Sequence, residues 1–335
     1  MSIPKILLIG ALVLFSGIGG VALSKKKKTS LSGQELLVQS KPVSSLVKKA
    51  PLIERQEVRK GSISTTSQSA SLEIEFPNID RIFQLFTTGA AKLPIVETLE
   101  YASAVSWLRG RPAWVADYAV YYNTSKHFIA RSLNAAPDYF SQKVKTGSLF
   151  NVFKKNKKIE FHLVVDTSRL KLAFYYFDHG TQERVLLKTY LIGLGRVDLS
   201  KPSGTLTPLG SYLLGDRVAV YKEGVTGFFH DQKTEMIRVF GTRWISFDQE
   251  VGGSFEAAKG YGIHGAPWVV DPKTGQLIEN RDVIGRFDSD GCIRMFLEDV
   301  EELYAIVVTK PTFVHIVKNF QDIALPGTEV GTPTR

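Results

Sequence analysis

Residues 159–192 read IEFHLVVDTSRLKLAFYYFDHGTQERVLLKTYLI, and this stretch sets the fold class. It contains three runs rich in β-branched and aromatic residues, Ile159–Asp166, Lys171–Phe177 and Arg184–Ile192. Such residues favour strands because their side chains pack well on a pleated surface. Only the short segment Thr167–Leu170 separates the first two runs, so we predict a hairpin followed by a third strand.

Short β-prone segments continue through the C-terminal half, between turns that contain glycine and proline. They lie around Val218–Tyr221, Ile237–Phe240, Trp244–Phe247 and Phe313–Val317. One helical stripe precedes the last of them and consists of Val300, Leu303, Tyr304 and Val307. Many short strands of this kind favour a sandwich or a barrel over an α/β sheet. We therefore expect a mainly β domain over residues 151–321, followed by a flexible tail at 322–335.

The N-terminus carries an uncharged and largely apolar stretch, Ile6–Leu23. Its 18 residues are close to the minimum for a spanning helix and long for the core of a signal peptide. We interpret residues 1–24 as an uncleaved signal anchor, with a signal peptide cleaved after Ser24 as the alternative. Lys25–Lys28 disfavours cleavage, but the positive-inside tendency would then place the body of the protein in the cytoplasm. The sequence leaves this conflict open.

Two segments separate the N-terminus from the predicted β domain. Residues 25–71 are rich in Ser, Lys, Thr and Gln without a sustained apolar period, which is typical of a flexible linker. Residues 72–150 predict a small α+β domain, which serves either for packing and spacing or, alternatively, for wall binding or substrate presentation. Its predicted parts are a helix over Ile79–Phe86, a helix over Val96–Trp107 that ends at Gly110, a β-prone run Asp117–Asn123 and a turn at Asn134–Asp138.

The composition limits the partners and the kinds of site. A formal net charge of +9 suits an anionic partner. Four of these charges lie in Lys25–Lys28, and no later stretch combines a basic run with the spaced aromatic residues of a single-strand binder, so we predict no nucleic-acid partner. Cys292 is the only cysteine, which excludes an internal disulfide and a multi-cysteine metal site. A lone cysteine is more often a small buried hydrophobic residue than a reactive one.

Two segments combine the residues that acyl transfer through a thiol requires. Tyr261–Gly265 (YGIHG) places His264 between glycines, and Ser289–Met295 (SDGCIRM) places Cys292 directly after a glycine. The chemistry needs a thiolate, a base that takes its proton and backbone amides that hold the oxyanion. Glycine lets the backbone approach a substrate closely, so the second segment can supply such amides. Arg294 can hold a carboxylate or brace the loop through bidentate hydrogen bonds.

These segments resemble the L,D-transpeptidase catalytic domain, the YkuD family, and the resemblance covers about residues 157–320. The hallmark of the family is His-Gly followed downstream by Ser/Thr-x-Gly-Cys-hydrophobic-Arg, which in this chain is His264-Gly265 and Ser289–Arg294. A second family feature is a Thr-Pro-x-Gly turn before an aromatic strand, and Thr207–Gly210 with Tyr212 matches it.

The resemblance implies a β-sandwich in which Cys292 attacks a stem peptide of peptidoglycan. The attacked bond lies between the L-centre of a diamino acid at position three and a terminal D-alanine. His264 would act as general base, with the carbonyl of Gly265 orienting its ring. The oxyanion hole would be formed by backbone amides around Ser289, Gly291 and Cys292. Substrate binding or loop bracing would fall to Tyr261, Asp290 and Arg294.

The implied product depends on which amine accepts the acyl group of the thioester. The amine would belong to a second stem peptide, which gives a 3→3 crosslink, or to an envelope protein. Such an enzyme serves peptidoglycan biosynthesis, cell-wall organisation and cell shape. It needs no cofactor, and we predict no metal because no histidine pair of this chain has metal-ligand spacing. It would work on the periplasmic side of the bacterial envelope, anchored in the inner membrane or exported.

One departure from the family pattern lies beside the nucleophile. The residue before Gly291 is often basic or histidine in the family, whereas this chain has Asp290. A carboxylate beside a thiol raises the thiol pKa unless it points away or pairs with a cation. Arg286 and Arg294 are the candidate cations. Asp290 then either weakens activation of the thiol or selects a cationic acceptor amine.

The second departure is the spacing of the two catalytic segments, since 28 positions separate His264 from Cys292. The added length, residues 268–278, contains two β-prone runs around a turn at Asp271–Gly275, which predicts a hairpin. Because both ends are tied to catalytic segments, we expect it to cover the site as a lid that excludes water. A structural addition without such a role is the alternative.

Other enzyme families and a non-catalytic role were also compared with these residues. A sortase-like enzyme would carry Thr-x-Thr-Cys instead of Asp-Gly-Cys, and papain-like enzymes place cysteine before histidine in the chain. An L,D-carboxypeptidase or another hydrolase on the same fold remains an alternative, as does a non-catalytic protein that binds the wall. His162 and His315 lie in predicted strands, where their side chains either pack or face solvent. His230-Asp231 is a candidate substrate contact.

Overall fold

Strands dominate the structure, as the sequence predicts, with 39% strand and 16% helix. This computed structural model describes residues 76–134, 144–254 and 256–331. The predicted anchor at 1–24, the linker at 25–71, most of the turn at 134–138 and the last residues of the tail lie outside the described residues. Within the described ranges, no helix has the length and the apolar character needed to cross a membrane.

Helices and strands are numbered in chain order. The helices are α1 Phe83–Phe86, α2 Val115–Tyr121, α3 Lys126–Asn134, α4 Ile237–Phe240 and α5 Leu297–Val307. The strands are β1 Val96–Glu100, β2 Leu149–Phe153, β3 Ile159–Asp166, β4 Lys171–Asp178, β5 Glu183–Leu191, β6 Leu194–Gly195, β7 Gly210–Val220, β8 Thr226–Phe229, β9 Gln232–Glu235, β10 Arg243–Gly252, β11 Gly262–Gly265, β12 Trp268–Val270, β13 Leu277–Glu279, β14 Phe287–Ser289, β15 Ile293–Met295, β16 Thr312–Val317 and β17 Thr328–Glu329. Short 3₁₀ turns lie at Arg281–Val283 and Phe320–Asp322.

Nine of the described strands form one mixed sheet in the order β15-β11-β10-β7-β16-β3-β4-β5-β17. The other described strands form the two-stranded ribbons β1–β2, β6–β14, β8–β9 and β12–β13. β3, β4 and β5 are antiparallel neighbours, which confirms the hairpin and third strand predicted from residues 159–192. β17 pairs with the start of β5, so this part of the predicted flexible tail is ordered. A sandwich-type packing of the sheets stays a prediction.

The turn between β3 and β4 is organised by one buried carboxylate. Asp166 is fully buried and accepts hydrogen bonds from Ser168 Oγ at 2.7 Å and from Arg169 N at 3.0 Å. The guanidinium of Arg169 pairs with the other carboxylate oxygen at 2.7 Å. Leu170 then takes a left-handed conformation with φ 54°. Asp and Ser side chains stabilise tight turns through such local hydrogen bonds, which is why this sequence turns at this point.

The central strands are apolar on both faces because both faces of the sheet are covered. On one face Phe161 and Phe174 pack against each other, with ring centroids 5.3 Å apart, in a core shared with Leu303 of α5. On the other face Val164 and Tyr175 pack beneath the segments that precede α1 and follow β16. Burying each large apolar side chain contributes about 1.5–3 kcal/mol. The near-continuous apolar runs of β3 and β4 follow from this double coverage.

The structure corrects several predictions of secondary structure. The helix predicted over Val96–Trp107 is wrong, because residues 96–100 form β1, which pairs with β2. The β-prone run Asp117–Asn123 is also wrong, because α2 occupies most of it. The helix predicted over Ile79–Phe86 is confirmed only for its last turn, α1. In the C-terminal half, the β-prone segment Ile237–Phe240 is the short helix α4.

Long-range contacts explain these differences. Asn151 of β2 donates from its side-chain amide to the carbonyls of Leu85 and Thr87 and so terminates α1. Its other amide atom, Oδ1, accepts from Thr98 Oγ1 at 2.8 Å, which fixes β1 beside β2. At the start of α2, Asp117 accepts from the amide of Trp114 at 2.8 Å, a helix-start contact that outweighs the β-propensity of the tyrosines that follow.

One edge of the sheet positions the two candidate catalytic segments. β11 pairs antiparallel with β10 and parallel with β15, so that His264 lies opposite Arg294. Cys292 directly precedes β15, so the two segments lie side by side although 28 positions separate His264 from Cys292 in sequence. The amide and carbonyl of Arg294 also bond to those of Gly193, each at 2.8 Å, which holds this edge to the loop after β5.

Candidate active site

A cavity of about 490 Å³ opens at this edge of the sheet. It is lined by Phe229, His230, Val239, Phe240, Trp244, Lys259, Gly260, Tyr261, His264, Ser289, Asp290, Cys292 and Arg294. The six site residues predicted from sequence that bear a functional side chain are all in this lining. The predicted Gly265 and Gly291 are not part of this lining.

His264 is a buried, neutral imidazole held in a fixed orientation. Its Nδ1 lies 2.7 Å from the carbonyl oxygen of Gly265, and since a carbonyl only accepts, Nδ1 carries the proton. The rings of Phe240 and Trp244 pack on it at centroid distances of 5.4 and 5.8 Å. This burial lowers the pKa of His264 to about 4, and the charge of Arg294 also acts to lower it. Nε2 is therefore the nitrogen that can accept a proton.

Cys292 is partly buried and is a thiol near neutral pH. Burial raises the pKa of Cys292 to about 11. The amide of Gly262 and the charge of Arg294 lower this pKa, while the charge of Asp290 raises it. The sulfur lies 3.8 Å from the carbonyl oxygen of Gly260, to which the thiol donates. With neutral cysteine and neutral histidine, the site suits general-base activation at the moment of attack and not a preformed ion pair.

The turn before Cys292 is held by hydroxyl groups. Ser289 Oγ donates to the carbonyl of Cys292 at 2.7 Å and accepts from the amide of Gly291 at 3.1 Å. Thr207 Oγ1 donates to the carbonyl of Gly291 at 3.0 Å and accepts from the amide of Gly195 at 2.7 Å. Thr207 thus links the Thr-Pro-x-Gly turn to the nucleophile turn. Its sequence context identified Thr207 as part of a motif but indicated no role for it.

Gly291 is required at its position for two reasons. Its φ of 119° lies in the region that favours glycine. A Cβ built there would lie 2.5 Å from the ring of Tyr261 and 2.7 Å from the carbonyl oxygen of Leu206. Tyr261 is itself fixed, since its hydroxyl donates to Glu256 at 2.6 Å. The ring of Tyr261 therefore packs directly on the nucleophile turn and supports it.

The ion pairs beside the nucleophile differ from those predicted. Asp290 pairs with Arg196 at 2.6 Å, and neither Arg286 nor Arg294 is its partner. Arg294 instead pairs with Asp288 at 3.1 Å, which favours loop bracing as its role. Both members of the Asp290–Arg196 pair are more than half exposed, so water screens the effect of this carboxylate on the thiol.

The Asp290→Asn substitution is expected to change the reactivity of Cys292 only slightly. Because Asp290 raises the thiol pKa, its removal lowers that pKa, and screening by water limits the shift to less than about one unit. The pH dependence of iodoacetamide alkylation measures it, since Cys292 is the only thiol. Asp216→Asn, the same change at an exposed carboxylate outside the cavity, is the matched control. A shift toward higher pH in the Asp290 variant would contradict the expected direction.

Part of the aromatic wall of the cavity comes from a hairpin that the sequence did not single out. β8 and β9 are joined by His230 and Asp231, both in left-handed conformations with φ 49° and 61°. Two consecutive left-handed residues match the tight turn that such hairpins favour. The ring of His230 packs on Phe229 at 4.1 Å, and both line the cavity. Glycine is the usual signal for such a turn, and its absence hid this hairpin at the level of sequence.

The predicted lid hairpin forms but does not cover the site. Trp268–Val270 and Leu277–Glu279 pair as β12 and β13, which confirms the hairpin. None of its residues lines the cavity, so the prediction of a lid is wrong. Its contacts run elsewhere: Glu279 accepts from the amide of Leu297 at the start of α5 and pairs with Arg281. The insertion follows β11 in the chain and is held to the start of α5 through Glu279.

Two other sequence expectations concern histidine. His162 Nδ1 and His315 Nε2 lie 3.0 Å apart within the sheet, and both residues are buried, in keeping with their predicted packing role. Among the residues that the structure describes, no group of three His, Cys, Asp or Glu side chains is arranged to hold a metal ion.

Residues 160–316 match the family model described as the L,D-transpeptidase catalytic domain, YkuD. This part of the chain is a YkuD domain. The family recognised from the sequence is thereby confirmed, and every residue that lines the cavity falls within the matched range. No curated protein matches the chain.

Three solved structures that are similar to the chain come from two bacteria. Bd1075 of Bdellovibrio bacteriovorus is 13% identical, with 48% of this chain and 47% of that one covered and a TM-score of 0.30. The helical cell shape determining protein Pgp2 of Campylobacter jejuni is 18% identical, with 51% of each chain covered and a TM-score of 0.32. A point mutant of Pgp2 gives 17% identity and a TM-score of 0.32, with 51% of this chain and 50% of that one covered. The chain thus spans about half the length of each.

Proposed function

We propose that this chain is a peptidoglycan L,D-transpeptidase that forms a thioester on Cys292 and transfers it to an amine. The observation that carries the proposal is the shared cavity of the YkuD domain. There the thiol of Cys292 and the neutral imidazole of His264 face one space of about 490 Å³. A cavity of this size accommodates one arm of a branched peptide.

Acylation begins when His264 Nε2 takes the proton of the thiol as sulfur attacks the carbonyl carbon of the donor peptide. The tetrahedral intermediate collapses with cleavage of the C–N bond to the terminal D-alanine. The imidazolium returns its proton to the departing amine, which leaves the thioester on Cys292 and a neutral histidine. The hydrogen bond from Nδ1 to the carbonyl of Gly265 leaves Nε2 as the nitrogen that accepts the proton.

Transfer repeats the same proton movements in reverse. An acceptor amine attacks the thioester carbonyl, and His264 Nε2 takes the amine proton. The C–S bond then breaks, and the thiolate regains its proton from the imidazolium. The acceptor amine belongs either to a second stem peptide or to an envelope protein.

The oxyanion is held by backbone amides of the nucleophile turn. The amide of Gly291 already donates to Ser289 Oγ. Two donors of the predicted hole are therefore available to the oxyanion: the amide of Cys292, and the hydroxyl of Ser289 once it has rotated. Removing one donor of an oxyanion hole costs about 10²–10³-fold in rate in comparable enzymes. Arg294 and Tyr261 support the loop in this mechanism through Asp288 and Gly291.

One observation favours the hydrolytic alternative, an L,D-carboxypeptidase. The hairpin β12–β13, expected to exclude water, contributes nothing to the cavity. A thioester that water reaches is hydrolysed, which yields a trimmed stem peptide and no crosslink. The hairpin β8–β9, which does border the cavity, is the part that would have to exclude water if transfer prevails.

The proposed location is the periplasmic side of the bacterial envelope, anchored in the inner membrane or exported. Support comes from the apolar stretch Ile6–Leu23 and from the location of peptidoglycan, the substrate of the family. The proposed partners are peptidoglycan stem peptides and, through the N-terminal segment, the membrane.

The test is product analysis with a defined donor and acceptor. Purified full-length protein is incubated with a disaccharide-tetrapeptide donor that ends in D-alanine, with and without a diamino-acid stem peptide as acceptor. The proposal expects free D-alanine together with a 3→3 dimer, identified by tandem mass spectrometry. The Cys292→Ala protein is the control for spontaneous or contaminating activity.

The other outcomes separate the alternatives. Release of D-alanine with a tripeptide but no dimer, at every acceptor concentration, would replace transfer by hydrolysis. Absence of any product from folded protein would favour the non-catalytic wall-binding alternative.

A further inference from the structure

A second cavity, of about 540 Å³, opens beside β7 and β16. We call it the serine cavity, and its lining includes Ser211, Val251, Gly253, His315, Lys318 and Asp322. None of these residues lines the cavity at Cys292. Ser211 and His315 are direct cross-strand partners, so their side chains lie on the same face of the sheet. A serine and a histidine of the central sheet therefore meet at one surface cavity.

Ser211 begins a chain of hydrogen bonds that crosses three neighbouring strands of the sheet, β7, β16 and β3. Its Oγ lies 2.8 Å from His315 Nδ1, and His315 Nε2 lies 3.0 Å from His162 Nδ1. His162 Nε2 lies 3.2 Å from one carboxylate oxygen of Glu160, whose other oxygen lies 2.9 Å from His179 Nε2. The chain thus connects a serine at a cavity to a carboxylate through two buried imidazoles.

The carboxylate of Glu160 sets the direction of the protons in this chain. An ionised carboxylate only accepts, so His162 Nε2 carries the proton and His162 Nδ1 is an acceptor. His315 Nε2 therefore donates to His162, and His315 Nδ1 accepts from the hydroxyl of Ser211. Burial lowers the pKa of His162 and lowers that of His315 to about 4, which keeps both rings neutral at neutral pH. A hydroxyl, a neutral imidazole that accepts from it and a group that orients the imidazole are the signature of an activated nucleophile.

The serine cavity is also bordered by a bulge in β10. The register of β7 and β10 shifts where Ser211 pairs with Gly252, so that Val251 is an extra residue on β10. The extra residue of a bulge is left out of the ladder, and bulges are frequent beside active sites. Gly253 follows with φ 60°, and a Cβ built on Gly252 or Gly253 would meet nothing within 4 Å. The amides of Val251 and Gly253 are therefore the candidates to hold an oxyanion formed at Ser211.

The rest of the lining indicates the class of substrate. Most of it is apolar and comes from Leu209, Val251, Ile316, Val317 and Ile323. Lys318 and Asp322 are exposed lining residues of opposite charge, so the cavity carries no net charge that would attract an ion. An unpaired carboxylate loses its hydration in an apolar cavity, whereas an apolar group gains by leaving water. The lining therefore favours a neutral ester with a short apolar acyl group.

We propose that Ser211 is a second nucleophile of this chain and hydrolyses neutral esters of this class. His315 Nδ1 takes the hydroxyl proton as Ser211 Oγ attacks the ester carbonyl, and it returns the proton to the alcohol as the ester C–O bond breaks. Water then attacks the acyl-serine and gives its proton to His315. Ser211 Oγ regains that proton as its bond to the acyl group breaks and the carboxylic acid leaves. His162 and Glu160 are positioning residues that hold the imidazole and stabilise its charged form.

The test uses the full-length protein with the Cys292→Ala substitution, so that the thiol contributes nothing. Hydrolysis of p-nitrophenyl butyrate gives the rate, and a fluorophosphonate probe labels the nucleophile, which peptide sequencing then locates. We expect one label on each chain, at Ser211. Ser211→Ala and His315→Gln are expected to lower kcat/KM at least about hundredfold.

The matched control is Ser200→Ala, at an exposed serine whose hydroxyl donates to Asp198 instead of a histidine. Its kcat/KM should stay within about twofold of the parent. No label on folded parent protein, a label at another residue, or equal rates for Ser211→Ala and Ser200→Ala would overturn the serine site. Thermal unfolding of each variant shows that the fold is intact. Because Cys292 is absent from every protein tested, these outcomes do not depend on the proposed transpeptidase function.

Glu160→Gln tests the positioning role of the carboxylate. A side-chain amide can donate to His162 Nε2, which reverses the protons of the chain and directs an N–H of His315 at the serine. We expect kcat to fall at least about tenfold while KM stays within about twofold. An unchanged kcat, or a loss that appears only in KM, would overturn the relay through His162 and Glu160.

Discussion

We expect the Cys292→Ala protein to form no acyl adduct and to lose D-alanine release to background, a loss of at least about 10⁴-fold. The physical reason is that this covalent route has no second thiol. Cys292 is the only cysteine of the chain, and it is the thiol that shares the cavity with His264. Because the side chain is small and only partly buried, the substitution leaves the fold largely intact.

Intact mass after incubation with a carbapenem measures this effect directly. The wild-type protein gains the mass of one acyl group, and the alanine variant gains none. A thiol-specific reagent serves as internal control, because it labels wild-type protein once and the variant not at all. An adduct that persists in Cys292→Ala, or that maps to another residue by peptide sequencing, would remove Cys292 as the nucleophile.

The His264→Gln protein keeps the thiol but loses its base, and we expect acylation to slow by about 10²–10⁴-fold. Burial holds the pKa of His264 near 4, so wild-type His264 is unprotonated and able to accept a proton at neutral pH. As the pH falls toward 4 the imidazole becomes protonated and this function is lost. The acylation rate of the wild type is therefore flat on the acid side down to about pH 5 and falls below it.

The matched control for this prediction is His230→Gln, the same change at the other histidine that lines the cavity. His230 lies at the tip of a hairpin, where its ring packs on Phe229, so its loss should change the rate by less than about tenfold. Single-turnover acylation from pH 4 to 9 measures both variants. Equal losses for the two would show that cavity shape, and not a base at position 264, governs the rate. Raising the pH should rescue His264→Gln, because hydroxide replaces the missing base as the thiol approaches its own pKa of about 11.

Much of the candidate site was predictable because its chemistry depends on residue types in a short local context. Cys292 and His264 both lie beside glycines that the backbone requires, and the contacts of Gly291 with Tyr261 show why that position excludes a side chain. The carbonyl of Gly265 orients the imidazole, as the resemblance implied. The partner of Asp290 was not predictable, since Arg196 reaches it from a loop that is distant in sequence.

The elements of the fold also differed in how far they could be predicted, because some depend on local sequence and others on long-range pairing. β3 and β4 were predictable because their apolar runs are long and a local turn joins them. β1 was assigned to a helix because its apolar residues fit either period, and only pairing with β2 settles the choice. The hairpin β12–β13 was predictable from its own sequence, but its direction is set by contacts with α5.

The sequence by itself determined the YkuD domain, the mainly β fold, and the identity of the thiol and the imidazole in one motif pair. These depend on local patterns: strand-forming runs, turn residues, and glycines beside reactive groups. The tertiary structure alone established that burial keeps His264 neutral and that the cavity wall combines residues of β8, α4 and β10. Each of these depends on burial or on proximity between distant segments, and neither is encoded in the spacing of residues along the chain.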